Sequence, residues 1–174
     1  MILPVADIAE TCRETETPLI VDASQSAGVL PVDLSGWGAA FVALPGHKGL
    51  YGPQGTGLLL CGGEGAKPLL YGGTGSMSRL QDMPPDLPDR LEAGTHNMPG
   101  IAGLLEGIRF VRRQGVDAIA ARERRVAQRA AQGLERLPGV RIFWDRELRH
   151  QTGVVSFVTE GRNCEEVGEA LARR

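Results

Sequence analysis

Short apolar runs alternate with an amphipathic stretch over the first third of the chain. A helix is predicted from Pro4 to just before Pro18, because its apolar positions share one helical face. Three short apolar runs that follow are predicted strands, 19–21, 39–44 and 57–61. This rhythm predicts an α/β sheet covered on both faces, with the first of these strands buried and parallel to its neighbour.

The hydrophobic period changes twice in the rest of the chain. Residues 62–97 have no period, and a loop this long usually serves a function or an interface. Helical periodicity then predicts one helix from Gly100 to Gly115 and a second over 116–137. The predicted elements beyond them are the strands 140–143 and 154–158 and a helix from about residue 163.

The two long helices have predicted core stripes. That of the first comprises Ile101, Leu104, Leu105, Ile108 and Val111. That of the second comprises Val116, Ile119, Val126, Ala127, Ala130, Leu134 and Leu137. We therefore predict a partial sheet domain over 1–114, then a long connecting helix and the opening of an α+β domain over 115–174. The chain passes from Met1 almost directly into its first helix, and its last helix has no closing strand after it, so we expect the chain to be truncated at both ends.

Composition and charge narrow the classes of function. The net charge of −2 gives no electrostatic case for binding nucleic acid or an anionic membrane, and Arg122 to Arg129 is interpreted as a solvated helix face. No apolar run approaches the roughly 20 residues that span a bilayer. The three cysteines are far apart and form no CxxC pair, which favours a reduced, cytoplasmic chain without a disulfide framework or zinc site.

Asp22 ends the first predicted strand, in the run Val21-Asp22-Ala23-Ser24-Gln25. Ligands of open α/β sheets collect at the carboxyl ends of strands, so a carboxylate there is a candidate binding group. A pyridoxal cofactor needs an acid of this kind to keep its ring nitrogen protonated. The alternative is that Asp22 is an ordinary turn or cap residue.

Lys48 follows the second predicted strand, in the run Gly46-His47-Lys48, and leads into Tyr51-Gly52-Pro53-Gln54-Gly55-Thr56-Gly57. A lysine at this place could be a neutral amine in a partly desolvated site, although a lone lysine is most often a surface charge. The Gly52–Gly57 run predicts a hairpin-like turn. It lacks the GK[ST] ending of a phosphate-binding P-loop.

Thr95 lies in a third motif, Glu92-Ala93-Gly94-Thr95-His96-Asn97, directly before a predicted helix. Its hydroxyl and the free backbone N–H groups could meet a phosphate at the helix N-terminus. The alternative is a plain helix cap by Thr95 or Asn97. His47 and His96 have no acid or thiol partner at ligand spacing, so no metal site is predicted.

These motifs occur in an order that resembles the class V aminotransferase superfamily, and within it the cysteine desulfurase and selenocysteine lyase group. The order is VDxxQ, then GHK with YGPxGxG, then a Gly-rich loop, then EAGT-N before a helix. The resemblance covers nearly the whole chain. It implies an α/β fold of the aspartate aminotransferase-like type (fold type I), pyridoxal 5′-phosphate as cofactor, and an amino-acid substrate.

The resemblance also implies a role for each motif residue. Lys48 would form the Schiff base with the cofactor and later move protons at the substrate Cα. Asp22 would pair with the pyridinium nitrogen, Gln25 would hydrogen-bond the phenolic oxygen of the ring, and His47 would help hold the phosphate. Thr95 would reach the phosphate of the neighbouring subunit in a homodimer with shared active sites. A sulfur-acceptor protein would be a further partner.

The chain also departs from the family pattern. Many relatives have a serine where this chain has Pro45, which offers neither a hydroxyl nor an N–H group. The family's upstream phosphate-binding segment and ring-stacking residue, and its downstream loop cysteine and carboxylate-binding arginine, are expected to lie outside these 174 residues. Cys12, Cys61 and Cys164 are predicted to be structural. We therefore expect little or no turnover from the chain alone. Another class V chemistry (an aminotransferase or a C–S or C–N lyase), or a cofactor-free dimerising scaffold, stays an alternative.

Overall fold

The computed structural model describes residues 2–63, 65–77 and 79–173. The chain divides into two compact units, one formed by Val5–Arg113 and the other by Gln114–Arg174 with Met1–Pro4. Among the described residues, no helix is both long and apolar enough to cross a membrane.

The first unit is a mixed α/β structure that begins as the sequence predicts. Its elements are α1 Val5–Glu14, β1 Ile20–Asp22, α2 Leu34–Trp37, β2 Phe41–Pro45, β3 Gly57–Cys61 and α3 Met98–Gln114, with a 3₁₀ turn at Asp89–Leu91. Asp33 caps α2 by accepting the N–H of Gly36 at 2.8 Å, and Gly38 ends it in the left-handed region. The hydrophobic period therefore predicted most of these elements to within a few residues.

The three strands form one sheet in the order β1-β2-β3. β1 runs parallel to β2, with Asp22 opposite Ala43. β2 runs antiparallel to β3, with Pro45 opposite Gly57, so the hairpin-like turn predicted for residues 52–57 is confirmed.

Only one face of this sheet is well buried. Side chains alternate between the two faces of a strand, and β2 buries Val42 and Leu44 against a core. The other face carries Ile20, 67% exposed, and Leu59, 51% exposed. The prediction of a buried β1 within a sheet covered on both faces is therefore wrong for the described residues, because the helices of this unit bury one face only.

The core beneath the buried face combines alanines with branched apolar side chains. Its buried members are Ala23, Ala27, Ala39, Val42, Leu44, Leu50 and Leu104. Three of these are alanines from the segments that flank the strands, which lets backbone approach backbone closely. The core therefore reaches the residues that surround Lys48.

Helix α3 buries a different stripe from the one predicted. Its buried residues are Gly100, Leu104, Gly107 and Val111. Ile101 and Leu105 are each 46% exposed, so their assignment to the core is wrong. The helix is rotated so that Gly100, Gly103 and Gly107 lie against residues 50–56, beside Leu104, whose side chain lies against Gly52.

The second unit contains α4 Val116–Leu134, β4 Val140–Phe143, β5 Ser156–Thr159 and α5 Cys164–Ala172. β4 and β5 pair antiparallel, and Asn163 begins α5 with a capping box. Helix α4 buries Ala120, Ala127 and Ala131. Val126 is 62% exposed, so its assignment to the core stripe is wrong: it lies about 100° around the helix from Ala127.

Candidate active site

Asp22 and Lys48 lie beyond the ends of neighbouring parallel strands. Asp22 is the last residue of β1, and Lys48 comes three residues after Pro45, the last residue of β2. Because the carboxyl ends of parallel strands meet at one edge of a sheet, the topology brings both residues to the same edge. This is the place where open α/β sheets bind ligands.

The Asp22 carboxylate is held by its own turn. Hydrogen bonds from the hydroxyl and the backbone N–H of Ser24 hold the pKa of Asp22 below its ordinary value of 3.8, and the positive charge of Lys48 acts in the same direction. The N–H of Ser24 donates to Oδ1 of Asp22 over 2.8 Å. Asp22 therefore carries its negative charge at neutral pH, as a partner for a protonated ring nitrogen must.

Gln25 lies in the turn that follows Asp22. This turn is closed by the N–H groups of Ser26 and Ala27, which both donate to the carbonyl oxygen of Ala23, over 3.1 and 2.9 Å. Ala23 and Ala27 are buried, whereas Gln25 is exposed. The turn is thus fixed by its backbone while the amide of Gln25 stays available to a ligand.

The turn of Lys48 is also closed by backbone hydrogen bonds. The N–H of Gly46 donates to the carbonyl oxygen of Thr56 over 2.7 Å, and the N–H of Gly52 donates to the carbonyl oxygen of Gly46 over 2.7 Å. Within this turn His47 and Lys48 are both exposed. The expectation of a partly desolvated lysine is therefore wrong for this chain, since no described segment covers the side chain.

The third motif is organised as a helix start. Asn97 caps α3, its Oδ1 accepting the N–H of Gly100 over 3.0 Å, so the cap is Asn97 and not Thr95. Glu92 approaches His96 to 3.5 Å. Thr95 is exposed. Among the described residues, no hydrogen bond or ion pair joins Thr95 to Asp22 or Lys48.

The cysteines lie outside this arrangement. Cys12 and Cys61 are half-buried on α1 and β3, and Cys164 is the exposed first residue of α5. All three are free thiols. The residues that the structure describes contain no group of three or more histidines, cysteines and acids that could hold a metal ion.

Comparison with known proteins bears directly on this arrangement. The model of the family described as aminotransferase class V matches residues 1–174. The chain belongs to the class V aminotransferase family. Its members are enzymes that use pyridoxal 5′-phosphate, so the cofactor prediction is confirmed.

Relatives within the class V family have a consistent description. The chain is 34% identical to the probable cysteine desulfurase 2 of Mycobacterium leprae, covering 98% of this chain and 42% of that protein. It is 35% identical to the probable cysteine desulfurase of Pyrococcus abyssi, covering 90% of this chain and 40% of that protein. The chain thus spans about two fifths of the length of these relatives.

A solved structure supports the same fold. The apo structure of cysteine desulfurase from Thermococcus onnurineus NA1 matches with a TM-score of 0.83 and 34% identity, over 98% of this chain and 44% of that one. The predicted fold class, an α/β fold of the pyridoxal-phosphate-dependent transferase type, is therefore confirmed.

The residues at the sheet edge fit the family's cofactor. An ionised Asp22 carboxylate lies within electrostatic reach of the Lys48 amine, and the adjacent turn offers the Gln25 amide. These groups have the chemistry that a protonated ring nitrogen, an aldehyde and a phenolic oxygen require. When bound, the cofactor supplies an electron-withdrawing ring.

Sequence reasoning missed the groups that hold these side chains in place. Ser24 has no role predicted from the sequence, and it is the residue that holds Asp22. Gly28, Gly49 and Gly107 each meet another segment so closely that a Cβ atom would not fit. Their signal was the abundance of glycine, which shows that close contacts exist without showing where.

Proposed function

We propose that this segment carries the cofactor-binding lysine of a cysteine desulfurase, an enzyme that removes sulfur from cysteine, with selenocysteine lyase as the closely related activity. One observation carries the proposal: Asp22 and Lys48 follow the ends of adjacent parallel strands and interact electrostatically. The description of the relatives as probable cysteine desulfurases supports the choice of substrate.

Each site residue has a separate task under this proposal. The amine of Lys48 holds the cofactor covalently and, once released, takes a proton from the substrate Cα and returns it. The carboxylate of Asp22 keeps a proton on the ring nitrogen. Gln25 donates to the phenolic oxygen, and His47 binds the phosphate.

Thr95 and the two units complete the proposal. The exposed hydroxyl of Thr95 would bind the phosphate in the neighbouring subunit of a homodimer. The first turn of α3 adds no free N–H group, because those of Met98, Gly100 and Ile101 already donate within the motif. Residues 1–114 would belong to the large cofactor-binding domain. Residues 115–174 would form the connecting helix and the start of the small domain.

The chain by itself should turn over slowly or not at all. Asp22, Gln25, His47, Lys48 and Thr95 are all exposed, so water competes for every group that would hold the cofactor. We expect no cysteine-dependent release of sulfide or alanine above a Lys48→Ala control. Substantial release from the 174-residue chain would contradict this expectation.

The sequence supplies a sharp test of the lysine assignment. The chain has two lysines, Lys48 and Lys67, so Lys67 is an internal reference. After incubation with pyridoxal phosphate and reduction with borohydride, peptide mass spectrometry should find the adduct mainly on Lys48. Equal labelling of the two lysines would refute the proposal.

A cofactor-free scaffold is the alternative that the exposure of the site favours. A purified chain that stays colourless with added pyridoxal phosphate and gives no Lys48 adduct would support it. Another class V chemistry on the same residues would instead give the adduct. It would be distinguished by assaying a full-length relative with cysteine and with amino acids that lack sulfur.

A further inference from the structure

The backbone directly after Lys48 is packed against the turn that follows Asp22. A Cβ atom at Gly28 would lie 2.0 Å from the carbonyl oxygen of Gly49, and one at Gly49 would lie 2.3 Å from the carbonyl oxygen of Ala27. Real Cβ atoms essentially never come closer than 3.0 Å to such an atom. Gly28 also has a φ of 82°, a conformation that other residues adopt at a cost. Two glycines therefore permit this contact.

A second contact holds the same stretch from another side. A Cβ atom at Gly107 of α3 would lie 2.2 Å from the carbonyl oxygen of Leu50 and 2.8 Å from the carbonyl carbon of Tyr51. Glycine destabilises a helix interior relative to alanine. At position 107 this cost coincides with a backbone contact that only glycine allows. Tyr51, which takes part in this second contact, is a residue other than glycine with a positive φ of 56°.

We propose that Gly28 and Gly107 are positioning residues for Lys48. They allow the turn after Asp22 and helix α3 to close on residues 49–51 from two directions. The place of the Lys48 amine relative to the Asp22 carboxylate is thereby set by these backbone contacts, together with the packing of the buried Leu50 and the edge contact between Tyr51 and Phe110. This inference rests on the proposed function, which assigns the cofactor to those two groups.

A purely structural role for the glycines makes a different prediction. If they served only stability, filling their positions would lower the free energy of unfolding and leave the chemistry of Lys48 unchanged. Two matched controls separate these cases. Gly38 has a φ of 60° and Gly133 lies in α4, and a Cβ atom at either would meet nothing within 4 Å.

The test uses the intact chain and the ratio of adduct on Lys48 to adduct on Lys67. Pyridoxal phosphate and borohydride are applied to the wild type and to Gly28→Ala, Gly107→Ala, Gly38→Ala and Gly133→Ala. Small displacements of a reacting group have large effects, so we expect Gly28→Ala and Gly107→Ala to lower the ratio by about tenfold. The two control substitutions should leave it unchanged.

The outcomes separate the two proposals. A wild-type chain that labels both lysines equally refutes the assignment of Lys48, and with it the inference built on that assignment. A wild-type preference for Lys48 that survives unchanged in Gly28→Ala and Gly107→Ala overturns the positioning role alone.

If Gly28→Ala fails to fold, a second readout in Gly107→Ala still tests the proposal. This substitution introduces a good helix former into α3, and the pKa of Asp22 can be followed in the folded variant by carbon NMR. Because Lys48 lowers that pKa in the wild type, its displacement should raise the value. An Asp22 pKa equal to that of the wild type in a folded Gly107→Ala chain would also overturn the positioning role.

Discussion

The turn that carries Lys48 and the loop that carries Thr95 both expose their key side chain, yet they are held very differently. Backbone contacts the Lys48 turn from two directions, at Gly28 and at Gly107. The Thr95 loop meets other backbone through Gly94, where a Cβ atom at Gly73 would lie 2.8 Å from the Cα of Gly94. The N–H of Gly94 donates to the carbonyl oxygen of Gly72 over 3.0 Å.

This difference suits the two proposed tasks. A lysine that moves protons at a substrate carbon must be placed to within a fraction of an ångström, which a doubly braced turn achieves. A threonine that binds a phosphate of a neighbouring subunit has to meet a group on another chain. A loop with fewer contacts can adjust when that chain docks.

The largest effect should come from removing the amine itself. Lys48→Arg should abolish the reducible adduct at that position, whereas Thr95→Ala should leave Lys48 as the main labelled lysine. In a full-length relative, alanine at the position aligned with Lys48 should lower kcat by at least about a hundredfold. Alanine at the position aligned with Thr95 should weaken cofactor binding by about tenfold. If alanine at the position aligned with Thr95 lowered kcat as much as alanine at the position aligned with Lys48, the proposed difference between the two segments would be wrong.

The next effect concerns stability. Gly28→Ala should lower the free energy of unfolding by about 3 kcal/mol, because it adds both a backbone clash and strain at positive φ. Gly73→Ala should cost about 2 kcal/mol, because its contact is looser. Urea unfolding followed by circular dichroism measures both.

Gly38 and Gly72 are the matched controls for this pair. Each has a positive φ, and a Cβ atom at either would meet nothing within 4 Å. Their replacement by alanine should lower the free energy of unfolding by about 1 kcal/mol, which is the cost of placing a residue with a Cβ atom at positive φ. If Gly38→Ala were as destabilising as Gly28→Ala, the close contact would add nothing.

A smaller effect should separate the cap of α3 from its neighbour. Asn97→Ala should lower the free energy of unfolding by about 1 kcal/mol and the Tm by about 2–4 °C, because it leaves the N–H of Gly100 without its acceptor. Thr95→Ala should change stability by no more than about 0.5 kcal/mol, because the side chain is exposed. Differential scanning calorimetry distinguishes the two, and the reverse order would show that Thr95 is the cap.

The smallest effect should be the acid dependence of stability that Asp22 contributes. Its pKa is below the ordinary 3.8 in the folded chain, so its contribution is present above that value and is lost as the pH falls through the folded pKa. Asp22→Asn should therefore reduce the fall in Tm between pH 7 and pH 3. Asp145, whose pKa is lowered by the backbone N–H of His150, is a comparison site in the second unit. An unchanged acid dependence in Asp22→Asn would contradict the assigned shift.

Local sequence patterns were enough to predict the elements and to identify the chemical groups. The hydrophobic period and the placement of prolines were enough to predict several elements. These are the strand 140–143, the hairpin that ends at Cys61 and the helices on either side of Gly115. These are local properties, because neighbouring residues decide them. The motif order was enough for the family and its cofactor, since few folds use an Asp, a Gly-His-Lys run and an EAGT run at these spacings.

The buried surfaces and the contacts that hold the site depend on how distant segments pack together. Ile101 and Leu105 look like core residues in sequence, yet α3 presents Gly100 and Gly107 to the backbone instead. Helical periodicity identifies the positions of large apolar side chains. It cannot identify a position where a neighbouring backbone lies so close that no side chain fits. For the same reason the sequence showed Lys48 and Asp22 as candidates, while the contacts at Gly28 and Gly107 became visible only in the fold.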